Sequence, residues 1–180
     1  MATTTALRPV AERITGATTL GRMILSASER GDDVALRHAG AAGFQSITYR
    51  QLGERAREIA RGLVALGIES GEVVSILCST RADWTICEAG ALCAATVVAP
   101  IYNTNSPEEC QHVLSHSEAR LVFCEDAGQV AKIEQIRAHC PRLEHVVVID
   151  GEAGGAITLA ELCAKSEEID AEEIERRVRA

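Results

Sequence analysis

Tyr102, Asn103, Thr104 and Asn105 stand together in the stretch APIYNTNSPEE, Ala99–Glu109. They offer a phenol, two amides and a hydroxyl, groups that hold a ligand by hydrogen bonding and are not charged at neutral pH. They follow an apolar run, and open α/β sheets place ligands beyond the carboxyl ends of their strands. The residues just after them explain themselves without a ligand. Ser106 is a natural N-cap, Pro107 suits the first helical position, and Glu109 can reach back to complete a capping box. The four polar residues are left over by that account. They are a candidate binding loop, with a simple turn as the alternative.

The other chemically able residues point elsewhere. His112 and His116, four apart, share one side of a helix, a spacing compatible with zinc. The Glu of H-E-x-x-H is missing and no third ligand stands at matching spacing, so surface or core-edge histidines are expected. G-x-S-x-G does not occur, and the serines fall at caps and strand edges, so no nucleophilic constellation is visible. GEAGG at 151–155 follows an apolar strand, but neither G-x-G-x-x-G nor G-x-x-x-x-G-K-[ST] can be read there, and a turn is expected. Trp84, the only tryptophan, is expected to plug the gap between a helix and the sheet, with a pocket wall as the alternative. The seven cysteines are spaced 9, 6, 17, 14, 16 and 23 residues apart. They include no C-x-x-C pair and sit mostly in apolar runs, as small buried hydrophobes of a reducing compartment do.

The elements that must position these residues follow from the pattern. A net charge of −8 over 180 residues with scattered basic side chains argues against nucleic acid, which requires clustered Lys and Arg. Arg55, Arg57 and Arg61, and Arg176, Arg177 and Arg179, read as solvated helix faces and dipole-matched ends. The N-terminus lacks the apolar stretch of a secretory signal, and Ile86–Tyr102 is interrupted by Glu88 and Pro100, so a cytoplasmic chain is expected. Residues 1–17 read as a flexible N-terminal arm, and 18–180 as one unit. A helix is expected from Thr18, with Leu20, Met23, Ile24 and Ala27 on one face. VALRH and FQSITY read as an antiparallel hairpin. A helix with Leu52, Ala56, Ile59, Ala60, Leu63 and Val64 inward follows, opened by Thr48 and Gln51 and stopped by Gly67. Strands VVSILC, TVVAP, ARLVFC and EHVVVID then alternate with helices opening at Thr80/Asp83, Ser106, about residue 127, and Thr158/Glu161. DAEEIERRVRA closes the chain. The fold class is α/β: a mostly parallel sheet flanked by helices, preceded by a helix and an antiparallel hairpin.

Two long stretches are more specific than the pattern alone. ITYRQLGERAREIARGLVALGIESGEVVSIL is followed by STRADWTICEAGALCAATVVAPIYNTNSPEECQHVLSHSEARLVF. The chain resembles the N-terminal subdomain of an adenylate-forming enzyme, specifically a bacterial long-chain fatty-acid–CoA ligase, from about Thr18 to Ala180. The most specific strings are Arg81-Ala82-Asp83-Trp84 and PIYNTNSPEE with HSEARLVF. The resemblance implies a two-step reaction: a fatty-acid carboxylate attacks the α-phosphate of ATP to give acyl-adenylate and pyrophosphate, and coenzyme A then displaces AMP. ATP, Mg²⁺ and coenzyme A are implied for the complete enzyme. None is expected on this chain alone, because the phosphate loop Y-T-S-G-T-T-G-x-P-K-G is absent from its 180 residues. So are the later aromatic–Thr–Glu segment, ribose-binding Asp, hinge and catalytic Lys. By the same resemblance Tyr102, Asn103 and Thr104 lie beside the channel for the pantetheine arm of coenzyme A. A partner polypeptide carrying the missing subdomains is implied, with a non-catalytic module that associates with intact ligases as the alternative. A flavodoxin-like nucleotide binder is a weaker reading, since no phosphate-cradling Gly pattern is present.

Overall fold

Amphipathic stretches form helices and continuous apolar runs form buried strands in the computed structural model, which describes residues 18–40 and 43–179. The expected arm over 1–17 lies outside the described residues. Helix α1 (Leu20–Ala27) is capped by Thr19, whose hydroxyl accepts from the Arg22 amide at 3.0 Å. The antiparallel hairpin is β1 (Val34–Gly40) and β2 (Gly43–Thr48). Helix α2 (Tyr49–Ala65) opens on the expected Thr48–Gln51 capping box, and Gly67 follows it at φ 79°, a conformation only glycine adopts freely. The alternating part comprises β3 (Val73–Leu77), α3 (Ala82–Cys93), β4 (Val97–Ile101), α4 (Pro107–Ser117) and β5 (Leu121–Cys124). It continues with α5 (Ala127–Glu134), β6 (His145–Val148), β7 (Ile157–Thr158), α6 (Leu159–Ala164) and α7 (Ala171–Arg177).

Strands β3 to β7 form one parallel sheet in the order β4-β3-β5-β6-β7. The chain steps outward from β3 to β4, then crosses back over β3 to β5. This is the order of a doubly wound sheet, with its switch point between β3 and β5. Each face is covered, which is why the strand sequences lack alternation. One face holds Ile59, Leu63, Ile76, Phe123, Val147 and Leu162. The other packs Leu77, Leu114, Val122, Ile133 and Val148. Small residues let the helices approach closely: a Cβ on Gly62 would run into the Leu162 carbonyl oxygen, and one on Gly90 into Ile59.

Several expected boundaries and faces shift. In α1 the buried positions are Gly21 and Leu25, while Leu20 is 53% exposed. Gly21 lies against the Leu92 carbonyl of α3 and turns the helix toward that contact. Helix α3 starts at Ala82 with Arg81 as N-cap and no side-chain cap bond, so Thr80 does not open it. The helix expected over 127–139 ends at Glu134, and a 3₁₀ turn over Arg137–His139 follows. Between them Ile136 turns into the core. Strand β4 runs one residue past Pro100. It is an edge strand: the Val97 amide donates to the Glu72 carbonyl at 2.9 Å. Alternation then puts the position of the Pro100 nitrogen on the open side, where a missing donor is tolerated.

Arg177 departs furthest from expectation. Its Nη1 donates to the carbonyls of Ile68 (3.0 Å) and Ala94 (3.1 Å), and its Nε to Glu173 at 2.9 Å. It is no solvated helix end: it satisfies orphan carbonyls beyond the ends of α2 and α3. The neighbouring contacts complete a clasp between α1 and α7. Thr19 Oγ1 donates to the Val178 carbonyl at 2.7 Å, and Glu175 pairs with Arg22 at 3.1 Å and Arg57 at 3.5 Å. Arg57 and Arg61 are accordingly half-buried rather than turned outward.

Candidate functional site

The switch-point crevice is the place where a doubly wound sheet ordinarily binds its ligand. Here side chains bridge it. Glu125, just past β5, accepts from the Ser79 amide (2.7 Å) and hydroxyl (2.8 Å). Arg81 pairs with Glu125 at 3.6 Å, with Asp150 at 2.5 Å and with Asp83 at 2.7 Å. Its hydrogen bond to Asp150 foremost, and that to Asp83, hold the guanidinium still more firmly protonated than usual. One cation faces three carboxylates, so the crevice carries an excess of negative charge and repels phosphate. The strand order is flavodoxin-like.

The loop Tyr102–Asn105 sits next door, beyond the carboxyl end of β4. The expected capping box is present: the Ser106 amide donates to Glu109 Oε2 at 2.7 Å, and the Glu109 amide to Ser106 Oγ at 3.2 Å. The Asn105 amide closes a turn onto the Tyr102 carbonyl at 3.0 Å. From α5, Lys132 Nζ donates to the carbonyls of Asn103 (3.0 Å) and Asn105 (2.7 Å), and Gln129 Nε2 to that of Asn103 (3.2 Å). The loop thus turns carbonyls inward, while Tyr102 (81% exposed) and Thr104 face solvent and Asn103 is half-buried. Tyr102, Asn103 and Thr104 form one short surface, and Lys132 and Gln129 fix it from beneath. Sequence reasoning missed those two. A lone Lys and Gln on a short polar helix face carry no pattern that separates a buried hydrogen bond from solvent contact.

The remaining candidates settle as structure. His112 and His116 are exposed, with rings stacked 5.8 Å apart between centroids at 8°. Among the described residues no group of three or more His, Cys, Asp or Glu is placed to hold a metal. Trp84 packs half-buried against the larger core cluster, the plug expected of it. GEAGG is an exposed turn with Gly151 and Gly155 at positive φ. Six cysteines are buried, Cys163 is half-buried, and all are free.

Burial, as the first cause, pushes the Cys78, Cys93 and Cys124 thiols up to about 12. The folded state therefore keeps protons that the unfolded chain releases above its ordinary thiol pKa of about 8.5. Their contribution to stability is intact below that pH and is lost as pH rises toward 12. Chemical denaturation at pH 7, 9 and 10.5 should show a falling midpoint, and these thiols should resist a disulfide reagent until the chain unfolds. Full reactivity in the native state at pH 8 would contradict the burial assigned to them.

Comparison with known proteins places this architecture. The family model described as AMP-binding enzyme matches residues 25–177. The chain belongs to that family. It is 35% identical over 113 residues to the long-chain-fatty-acid–CoA ligase heimdall of Drosophila melanogaster, covering 63% of this chain and 17% of that one. It is 31% identical over 120 residues to the uncharacterized protein Rv1549 of Mycobacterium tuberculosis, covering 67% of this chain and 65% of that one. The crystal structure of a long-chain-fatty-acid-CoA ligase, FadD1, from Archaeoglobus fulgidus superposes with a TM-score of 0.71 at 21% identity, covering 82% of this chain and 30% of that one. The last likeness concerns the fold alone. The chain spans less than a fifth of the length of the Drosophila ligase.

Proposed function

We propose that residues 18–180 form the N-terminal part of a fatty-acid–CoA ligase and do not catalyse its reaction by themselves. The observation that carries this reading is the family match over residues 25–177. In a complete enzyme, ATP with Mg²⁺ would activate the fatty-acid carboxylate as its adenylate, and coenzyme A would accept the acyl group. The residues at the switch point do not suit a nucleotide phosphate. The switch-point crevice faces a ligand with Asp83, Glu125 and Asp150 around a single guanidinium, so no phosphate-binding step is assigned to this chain. What it supplies is a rigid sheet edge, together with Tyr102, Asn103 and Thr104 as a polar wall for the pantetheine arm. The amides and hydroxyl of that arm match their hydrogen-bonding groups. A polypeptide with the other subdomains would complete the channel. The site of action would be cytoplasmic, peripheral to the membrane through the lipid substrate; no helix among the described residues is long and apolar enough to cross a bilayer.

Palmitate-dependent exchange between ATP and pyrophosphate tests this. The chain with Mg²⁺ should give background exchange only, and adding a polypeptide with the missing subdomains should restore it. Exchange by the chain alone would overturn the assignment. The match to Rv1549, which covers 65% of that protein, favours one second reading: a non-catalytic module that associates with intact ligases. In that case the chain would change the rate of an intact ligase and would not complement the missing subdomains.

A further inference from the structure

We propose that Lys132 is the positioning residue of the coenzyme A wall, holding Tyr102, Asn103 and Thr104 in place through the backbone of their loop. The proposal rests on the reading of that loop given above, and it adds a residue to which no motif points. The loop has little else to fix it. It follows an edge strand, Tyr102 is 81% exposed, and its one internal backbone bond among the described residues runs from the Asn105 amide to the Tyr102 carbonyl at 3.0 Å. A four-residue loop held by one such bond opens easily.

Lys132 changes that balance. A single ammonium reaches two carbonyls, those of Asn103 at 3.0 Å and Asn105 at 2.7 Å, and so bridges both sides of Thr104. Charged donors make the stronger hydrogen bonds. Gln129, one helical turn earlier on α5, adds its amide to the Asn103 carbonyl at 3.2 Å. Helix α5 is itself anchored: Asp126 accepts from the Gln129 amide at 3.0 Å, and Val130 and Ile133 are buried. The loop is thereby tied to the second core cluster and not merely to its own neighbours. The inward carbonyls have a further effect. They leave the side chains of Tyr102 and Thr104 as the groups presented outward. A ligand arm with amides and a hydroxyl would meet a preset surface without having to order it, which lowers the cost of binding.

Lys132→Met keeps the aliphatic stem and removes the donors, whereas Lys132→Arg keeps a cation and several N–H groups. In the 180-residue chain, amide exchange at Asn105 should rise roughly tenfold or more in Lys132→Met. Exchange across β3 and β5 should stay unchanged, and Lys132→Arg should restore most of the protection. Unchanged exchange at Asn105, or a rise shared by the whole sheet, would overturn the holding role. In the assembly reconstituted with the missing subdomains, Lys132→Met should raise the KM for coenzyme A about tenfold and leave palmitate-dependent pyrophosphate exchange untouched. An unchanged KM with a loosened loop would overturn the link to coenzyme A. If the unsubstituted assembly shows no activity, the ligase reading fails, and the holding role still stands or falls on the exchange data.

Discussion

Replacing Arg177 with methionine should lower the stability of the chain by about 3 kcal/mol. Methionine keeps the stem's packing and deletes the donors. Three partners then lose a hydrogen bond: the Glu173 carboxylate and the carbonyls of Ile68 and Ala94. Ile68 and Ala94 are 0% exposed, so water cannot replace the lost donor at those carbonyls. Each buried carbonyl left unpaired costs about 1–3 kcal/mol. Lysine at the same position should recover only part of the loss, because a point charge cannot reach in the fork geometry. The effect has a pH signature. Its hydrogen bond to Arg177, first among the causes, holds the Glu173 carboxyl below the usual carboxylate range. That contribution is present above the unfolded carboxylate pKa and is lost as pH falls through the folded one. Acid denaturation of Arg177→Met should therefore begin from a lower plateau and show a shallower decline. A urea midpoint equal to that of the parent would sink the argument.

Phe123→Ala should cost about 3–5 kcal/mol. Phe123 is wholly buried on β5, between Ile76 of β3 and Val147 of β6 in register. Those β-branched neighbours are stiff and held by the sheet, so the void cannot collapse. Only two phenylalanines are present in the chain, and the other supplies the control. Phe44 is 85% exposed on the hairpin, and Phe44→Ala should stay within about 0.5 kcal/mol. The measurement is a pair of urea titrations read by their midpoints at equal slope. Similar losses for the two variants would mean that Phe123 is not central to the core.

What the sequence disclosed, and what it hid, follows a physical line. Features set by neighbours in the chain were legible: the capping boxes at Thr48, Ser106 and Thr158 all form as their spacing predicts. The apolar runs became strands, buried on both faces in β3, β5 and β6 and partly exposed in the edge strand β4, and their alternation with helices announced the parallel sheet. The strand order was not available, since no local signal says that β5 returns to the far side of β3. The same limit hid the roles of Arg81, Lys132 and Arg177. Each is a cation on a helix or at its start, and only the folded chain shows that it also has partners 27 to 109 residues away. In α1, helical periodicity alone favoured Leu20 and Met23. The close seat of Gly21 on α3 then rotated the buried face to Leu25. The candidate loop was legible as a surplus of polar residues, and what fixes it was not.

The clasp between Thr19 and Val178 joins residues 159 positions apart, and it gives folding a timetable. A ribosome adding about 5–20 residues per second needs roughly 8–30 s to carry the chain from one partner to the other. Throughout that interval α1 exists without α7, and the carbonyls of Ile68 and Ala94 wait for a guanidinium not yet made. The sheet strands emerge in the meantime and can assemble around an unfinished end. The clasp therefore closes only after all five strands of the parallel sheet have been made, and a pause anywhere between its two partners would prolong the unclasped state.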